Sequence, residues 1–343
     1  MSRDPRLLVQ PAPFLRPTVS TPRIMVDVLI ALVPSIGVAV WLFGLSALLV
    51  LAAATLGCVA TEWLLAPGRR GASLSDWTAV LTGVLLGLTL PPSFPLWMAA
   101  LGGFVAIALG KLAWGGLGRN LFNPALVGRA FLQAAFPIAI TTWVPPAGPL
   151  ALYRGNLAWP MFAAPVDAVT AATPLGRMKF LGEATPLGDL FLGNVGGSLG
   201  ETSAVAVLLG LAWMLWRRAC DWRIPAALAL AAGTLAEIVH RVAPDHHPGG
   251  LFTLFGGSLL FGTVFMATDP VTSPLSPRGA WIFGGGVGVL VVLIRFWGGL
   301  PEGVMYAILL MNAATPLIDR ALQPRAFGYG RPARATAPPG VPR

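Results

Sequence analysis

Ile24-Met25-Val26-Asp27-Val28-Leu29-Ile30-Ala31-Leu32-Val33-Pro34-Ser35-Ile36-Gly37-Val38-Ala39-Val40-Trp41-Leu42-Phe43 carries a single charge, Asp27, and only Gly44 separates it from a second apolar stretch, 44–65. A membrane helix needs roughly 20 mostly apolar residues. The pattern recurs at 76–92, 95–113, 125–143, 201–216, 224–240, 251–267, 280–297 and 302–319. Pro91-Pro92 stops the third window, and Arg129 and Gln133 interrupt the fifth. The expected fold is an all-α polytopic membrane protein of about ten transmembrane helices. Residues 24–143 form one bundle half and 201–320 the other, with 144–200 as a long extracytoplasmic loop. The arm 1–23 and the tail 321–343 are expected to be cytoplasmic.

Composition points the same way. Of the 343 residues, 11% are charged and 55% hydrophobic, whereas soluble domains carry about 25% charged residues. That excludes a soluble enzyme, a disordered chain and a nucleic-acid-binding domain. The net charge of +9 does not form one basic patch. Its residues punctuate the apolar windows: Arg3, Arg6, Arg16 and Arg23; Arg69 and Arg70; Lys111, Arg119 and Arg129; Arg217, Arg218 and Arg223; Arg278; and Arg320 onward. With both termini inside, these groups fall on the cytoplasmic side, as the positive-inside rule requires. Arg241 and Arg295 are the exceptions. Several tryptophans near window ends, such as Trp63, Trp97, Trp216 and Trp297, read as an interfacial belt. No cleavable signal peptide is expected. Cys58 and Cys220 lie too far apart in the chain to imply a disulfide framework or a metal site. His240, His246 and His247 with Asp245 read as a surface loop rather than a metal site.

The segment 144–200 is longer than an incidental connection. It contains Asp167-Ala168-Val169-Thr170-Ala171-Ala172-Thr173. This resembles the flavin-transfer pattern Asp-x-x-Ser/Thr-Gly-Ala-Thr, whose last threonine receives FMN through a phosphoester. A threonine hydroxyl is a weak nucleophile and needs an external activating enzyme, and small neighbours such as Ala172 leave room for it. Ala171 stands where the pattern has glycine. Ala184-Thr185-Pro186-Leu187-Gly188 repeats the stretch after Ala171, but Thr185 has Lys179 where Thr173 has Asp167, and Gly182 where Thr173 has Thr170. Only Thr173 fits the whole pattern. The competing reading makes both plain Ala-Thr-Pro-Leu turns.

Three further runs carry a family resemblance: Thr21-Pro22-Arg23-Ile24-Met25-Val26-Asp27, Gly118-Arg119-Asn120-Leu121-Phe122-Asn123-Pro124-Ala125 and Phe265-Met266-Ala267-Thr268-Asp269-Pro270-Val271-Thr272-Ser273-Pro274. In order, from about Pro11 to about Arg320, the chain resembles RnfD, a membrane component of the Rnf electron-transport complex. NqrB, its counterpart in the sodium-pumping NADH:quinone reductase, is the sister family, and the short N-terminal arm favours the Rnf branch. The resemblance implies a ten-helix protein of the bacterial inner membrane with covalent FMN on Thr173. It implies membership of an electron chain between ferredoxin and NAD coupled to Na⁺ or H⁺ movement. It also implies partner subunits holding iron–sulfur clusters, NAD and ferredoxin, and a flavin transferase for maturation. A second flavin, non-covalent riboflavin, is implied as well. Asn120, Asn123, Thr268 and Asp269 are its candidate site, since amides and a carboxylate can meet the edge of an isoalloxazine ring. Helix capping is the alternative role for the same side chains.

Acids inside a membrane usually mark an ion path or a buried pair. Among Asp27, Glu62, Asp76, Glu237, Asp269, Glu302 and Asp319, the windows place Glu62 and Glu237 deepest, as ion-path candidates. Lys111 is expected to snorkel. Asn123-Pro124 and Asn312 with Pro316 suggest matching broken helices in two halves. A non-redox secondary transporter and a structural anchor are the rival readings. Neither predicts a flavin on Thr173.

Overall fold

The computed structural model describes residues 20–66, 74–158, 173–181, 185–193, 195–244, 247–299 and 302–322. Among them no strand occurs. The α-helices are α1 Thr21–Leu65, α2 Thr78–Leu88, α3 Leu96–Ala108, α4 Pro124–Ala135, α5 Pro137–Thr141, α6 Pro174–Gly176, α7 Leu187–Leu192, α8 Ala204–Arg217, α9 Arg223–Val242, α10 Gly250–Phe255, α11 Leu259–Phe261, α12 Pro277–Trp297 and α13 Val304–Ala321. Every apolar window contains a helix. Among the described residues, three helical stretches are long and apolar enough to cross a membrane: Thr21–Leu65, Leu96–Trp114 and Pro277–Trp297.

A straight helix over α1 would be about 68 Å long, but α1 doubles back at Gly44. Lys111 shows this. Its ammonium lies 2.6 Å from Glu62, while Met25 and Val28, from the other end of α1, line the same small cleft as Lys111. Gly44 has φ 65° and ψ −142°, and a Cβ there would sit 2.4 Å from the Ala151 nitrogen. Glycine is thus required by both conformation and space. The carbonyl groups freed at this break are used. Leu42 O accepts from Ala147 and Gly148 N–H, and Ser46 N–H donates to Ala151 O.

Other windows are broken rather than continuous. The third contains only α2, at about 16 Å half the thickness of a bilayer core. The fifth breaks at Phe136 (φ −133°, ψ 58°), because the residue before a proline is pushed out of the helical region. The eighth is divided at Gly256 and winds into a π-helical turn over Gly262–Met266. A break inside an apolar bundle leaves carbonyls that must be satisfied internally. Two buried arginines do this. Arg129 donates to Thr89 O beyond the end of α2, at 2.6 Å. Arg295 donates to Thr253 O and Gly256 O at the end of α10, at 2.7 and 3.0 Å.

The expected pair of matching breaks is not there. Asn123 caps the start of α4, whereas Asn312 lies inside α13 and is fully buried. The triple glycine Gly284-Gly285-Gly286 serves helix packing in part: a Cβ on Gly284 would lie 2.5 Å from Ile224 O of α9.

The segment 144–200 binds one end of the bundle. Asn156 donates to Pro92 O and Phe94 O, Leu199 and Gly200 N–H donate to Leu90 O and Leu88 O, and Lys179 donates to Arg295 O and Gly298 O. The opposite end is tied by Asp27–Arg217 at 3.0 Å and Glu62–Lys111 at 2.6 Å.

Candidate functional site

Thr173 is the first described residue after Ala158, so Asp167, Thr170 and Ala172 lie outside the described residues, as does Trp159. Thr173 caps the short α6. Its Oγ1 accepts from Gly176 N–H at 3.1 Å, and Pro174, at the first helical position, pre-sets the turn. Two anchors hold this turn against the bundle. Leu175 is buried over Gly257, whose φ of +67° and lack of room for a Cβ both call for glycine. Lys179 caps the C-terminal carbonyls of α12. Thr185, the internal control, is only half-buried and does not border the cavity that Thr173 borders.

Thr173 is 8% exposed, and that cavity measures about 520 Å³. This is within the range of small-molecule and cofactor pockets. Its walls include the aromatic side chains of Trp143, Phe180, Phe261 and Tyr306. Its ionisable lining is Arg129, Glu201 and Glu302, with Arg129 reaching Glu201 at 3.2 Å and Glu302 at 3.3 Å. Glu302 also accepts from Ser258 N–H and Oγ. This cluster corrects two sequence expectations. Arg129 is not a loop charge: it is buried within α4, and its guanidinium lies at the end of the bundle held by 144–200. Glu201 is missing from the acids singled out in the sequence, although it opens the sixth apolar window, 201–216; in the structure it stands just before α8.

The second candidate set does converge. Asn120, Asn123, Thr268 and Asp269 line one cleft. The cleft measures about 60 Å³, too small for a three-ring flavin as it stands. Most of its polar groups are already used by the local backbone. Asn123 Oδ1 accepts from Ala125 and Leu126 N–H, and its Nδ2 donates to Met266 O. Thr268 donates to Val264 O. Asp269 accepts from Val271 N–H and from Thr272 Oγ1. Asn120 Oδ1 is buried with no partner among the described residues.

The two ion-path candidates differ. Glu62 is fully buried and paired with Lys111, which also approaches Asp76 at 3.7 Å. Lys111 itself is 3% exposed, so it does not snorkel. Glu237 is not deep: its side chain is 43% exposed and pairs along the helix with Arg241 at 3.2 Å. His240 Nδ1 lies 2.6 Å from His247 O, and His247 stacks on Phe296; Asp245 and His246 lie outside the described residues.

Comparison with known proteins adds what geometry cannot. Residues 8–328 match the model of the NQR2, RnfD, RnfE family. The chain is 44% identical to the D component of the ion-translocating oxidoreductase complex of Stutzerimonas stutzeri, over 92% of this chain and 94% of that one. It is 39% identical to the D component of the proton-translocating ferredoxin:NAD(+) oxidoreductase complex of Clostridium ljungdahlii, over 94% and 96%. It is 38% identical to the D component of the Na(+)-translocating ferredoxin:NAD(+) oxidoreductase complex of Acetobacterium woodii, over 94% and 95%. With nearly its whole length matched, this chain belongs to the NQR2, RnfD, RnfE family.

Proposed function

We propose that the chain is the RnfD component of an ion-translocating ferredoxin:NAD(+) oxidoreductase complex, and that Thr173 is its covalent FMN tether. The relatives' names support the first part. The second rests on one observation: the only threonine that fits the whole transfer pattern borders a flavin-sized, aromatic-walled cavity. FMN, when bound, supplies electron acceptance and donation, which no side chain of this cavity offers. Thr173 provides the oxygen of the phosphoester. Trp143 and Phe180 provide apolar wall against which a ring can pack, and Arg129 provides positive charge. NAD and ferredoxin are assigned to partner subunits with iron–sulfur clusters. The chain has two cysteines and no Gly-x-Gly-x-x-Gly stretch following a strand and opening a helix. A flavin transferase is required for maturation.

In this reading the chain crosses a bacterial inner membrane about ten times, with both termini cytoplasmic and 144–200 outside. The support is that this segment bonds to connections on one end of the bundle, while the Asp27–Arg217 and Lys111–Glu62 pairs occupy the other. The transported ion is left as Na⁺ or H⁺, because the relatives include both kinds. Riboflavin is proposed for the Asn120–Asp269 cleft only if that cleft widens on binding. Glu62 is the acid retained as an ion-path candidate, and Glu237 is retained only as a surface group facing lipid or a partner.

The test is flavin fluorescence of the denatured chain in a gel, after co-production with a flavin transferase. Thr173→Val is expected to abolish the signal and Thr185→Val to keep it. A fluorescent Thr173→Val chain removes the assignment.

A further inference from the structure

The cavity beside Thr173 contains a charge cluster that tethering does not need. Arg129 is held between two carboxylates from distant parts of the chain, Glu201 and Glu302, at 3.2 and 3.3 Å. Its other described bond is to Thr89 O, so three of the five guanidinium N–H groups have described partners while the side chain still forms cavity wall. Arg295 and Glu302 both lie against Gly257. A Cβ on Gly257 would lie 2.6 Å from Glu302 Oε1 and 3.4 Å from Arg295 Nη2. The cluster therefore joins two arginines and two carboxyl groups, and Arg129, Glu201 and Glu302 all line the cavity while Arg295 does not.

Helix capping alone explains Arg295, which spends its described bonds on carbonyls of one broken helix. It does not explain Arg129, which has one carbonyl bond and two carboxylate bonds. A buried arginine between two acids is costly unless its geometry is fixed. The fixed geometry here keeps a guanidinium in the wall of the cavity that Thr173 also borders.

Building on the reading that Thr173 carries FMN, we infer that Arg129 is the electrostatic partner of that flavin, and that Glu201 and Glu302 are positioning residues that hold it and moderate its charge. An electron delivered by a partner protein of the complex adds one negative charge to the cavity. In a site walled by apolar side chains, a nearby positive group lowers the energy of that added charge far more than water would. Arg129 thus raises the flavin's midpoint potential, and the Glu302 carboxylate lowers it. Neutralising Arg129 and neutralising Glu302 must shift the potential in opposite directions.

The experiment is a spectroelectrochemical titration of the full-length chain, purified with its covalent flavin. The transition is identified as the one absent from Thr173→Val. Arg129→Gln is expected to weaken reduction about tenfold, a fall of about 59 mV for a one-electron couple. Glu302→Gln is expected to shift it upward, and Arg129→Lys to stay near the parent. If Arg129→Gln does not fold, the upward shift in Glu302→Gln and the small effect of Arg129→Lys still decide. No shift in Glu302→Gln, or shifts of the same sign in both neutral variants, overturns the inference while leaving the tether intact. Loss of the inference through the tether looks different: fluorescence then persists in Thr173→Val, and both readings fall.

Discussion

Two candidate pockets of this bundle are opposites. The cavity at Thr173 is about 520 Å³, and its ionisable side chains Arg129, Glu201 and Glu302 come from three distant stretches of chain. The cleft at Asn120 and Asp269 is about 60 Å³; Asn120, Asn123, Thr268 and Asp269 there bond mostly to groups within four residues of themselves, and its one charged amine, Lys111, is already paired with Glu62. The difference lies in what the side chains are for. Short polar residues at helix ends satisfy orphan peptide groups first. A group assembled from remote segments around a void has no such local duty, and its cost has to be justified by something that enters the void.

This contrast can be broken at its strongest point. Arg129→Leu strands Glu201 and Glu302 and frees Thr89 O, so a loss of about 3–5 kcal/mol is expected in denaturant or thermal unfolding in detergent. A loss under about 1 kcal/mol, the size of a surface pair, would mean the cluster is not held in this way. Next in size is Gly257→Ala. Its positive φ and the Leu175 and Glu302 contacts leave no room for a methyl group, so the turn bearing Thr173 must shift. Covalent flavin incorporation is expected to fall several-fold, measured as fluorescence per mole of chain. On the cleft side, Asn123→Ala removes a helix cap and is expected to cost about 1 kcal/mol, with covalent flavin content unchanged. If the same variant also released a non-covalent flavin, the cleft would rank with the cavity as a binding site. The smallest effect concerns the thiols. Burial, and then the charge of Asp221, push Cys220 up to about 11. Its alkylation should therefore be slow at pH 8 and rise about tenfold per pH unit as the thiolate forms, while Cys58, fully buried, stays unlabelled at every pH below unfolding. Rapid labelling of Cys220 at pH 7 would contradict its packing.

Much of this was legible in the chain. The apolar windows each contain a helix, Gly44 is a true reversal, and the Asp167–Thr173 pattern leads to the one threonine of its kind that borders the large cavity. The cluster around Arg129 was not legible, for a physical reason. The positive-inside rule counts basic residues without regard to depth, so Arg129 passes as a loop charge. Its partners Glu201 and Glu302 lie 72 and 173 residues away in sequence, and no local spacing records that. One signal was present: an arginine inside an apolar window needs an acid or a broken helix near it. Glu237 failed in the opposite way. A place inside an apolar window implies burial only if the helix presents that face inward, and α9 leaves Glu237 exposed and paired with Arg241.

The central claim is that a redox group is bonded to Thr173, and the intact mass of the purified chain tests it most directly. Produced with a flavin transferase, the parent chain should weigh the polypeptide plus one FMN less one water, and Thr173→Val the polypeptide alone. A parent chain with the mass of its amino acids only, or a Thr173→Val chain still carrying the added mass, would contradict the account.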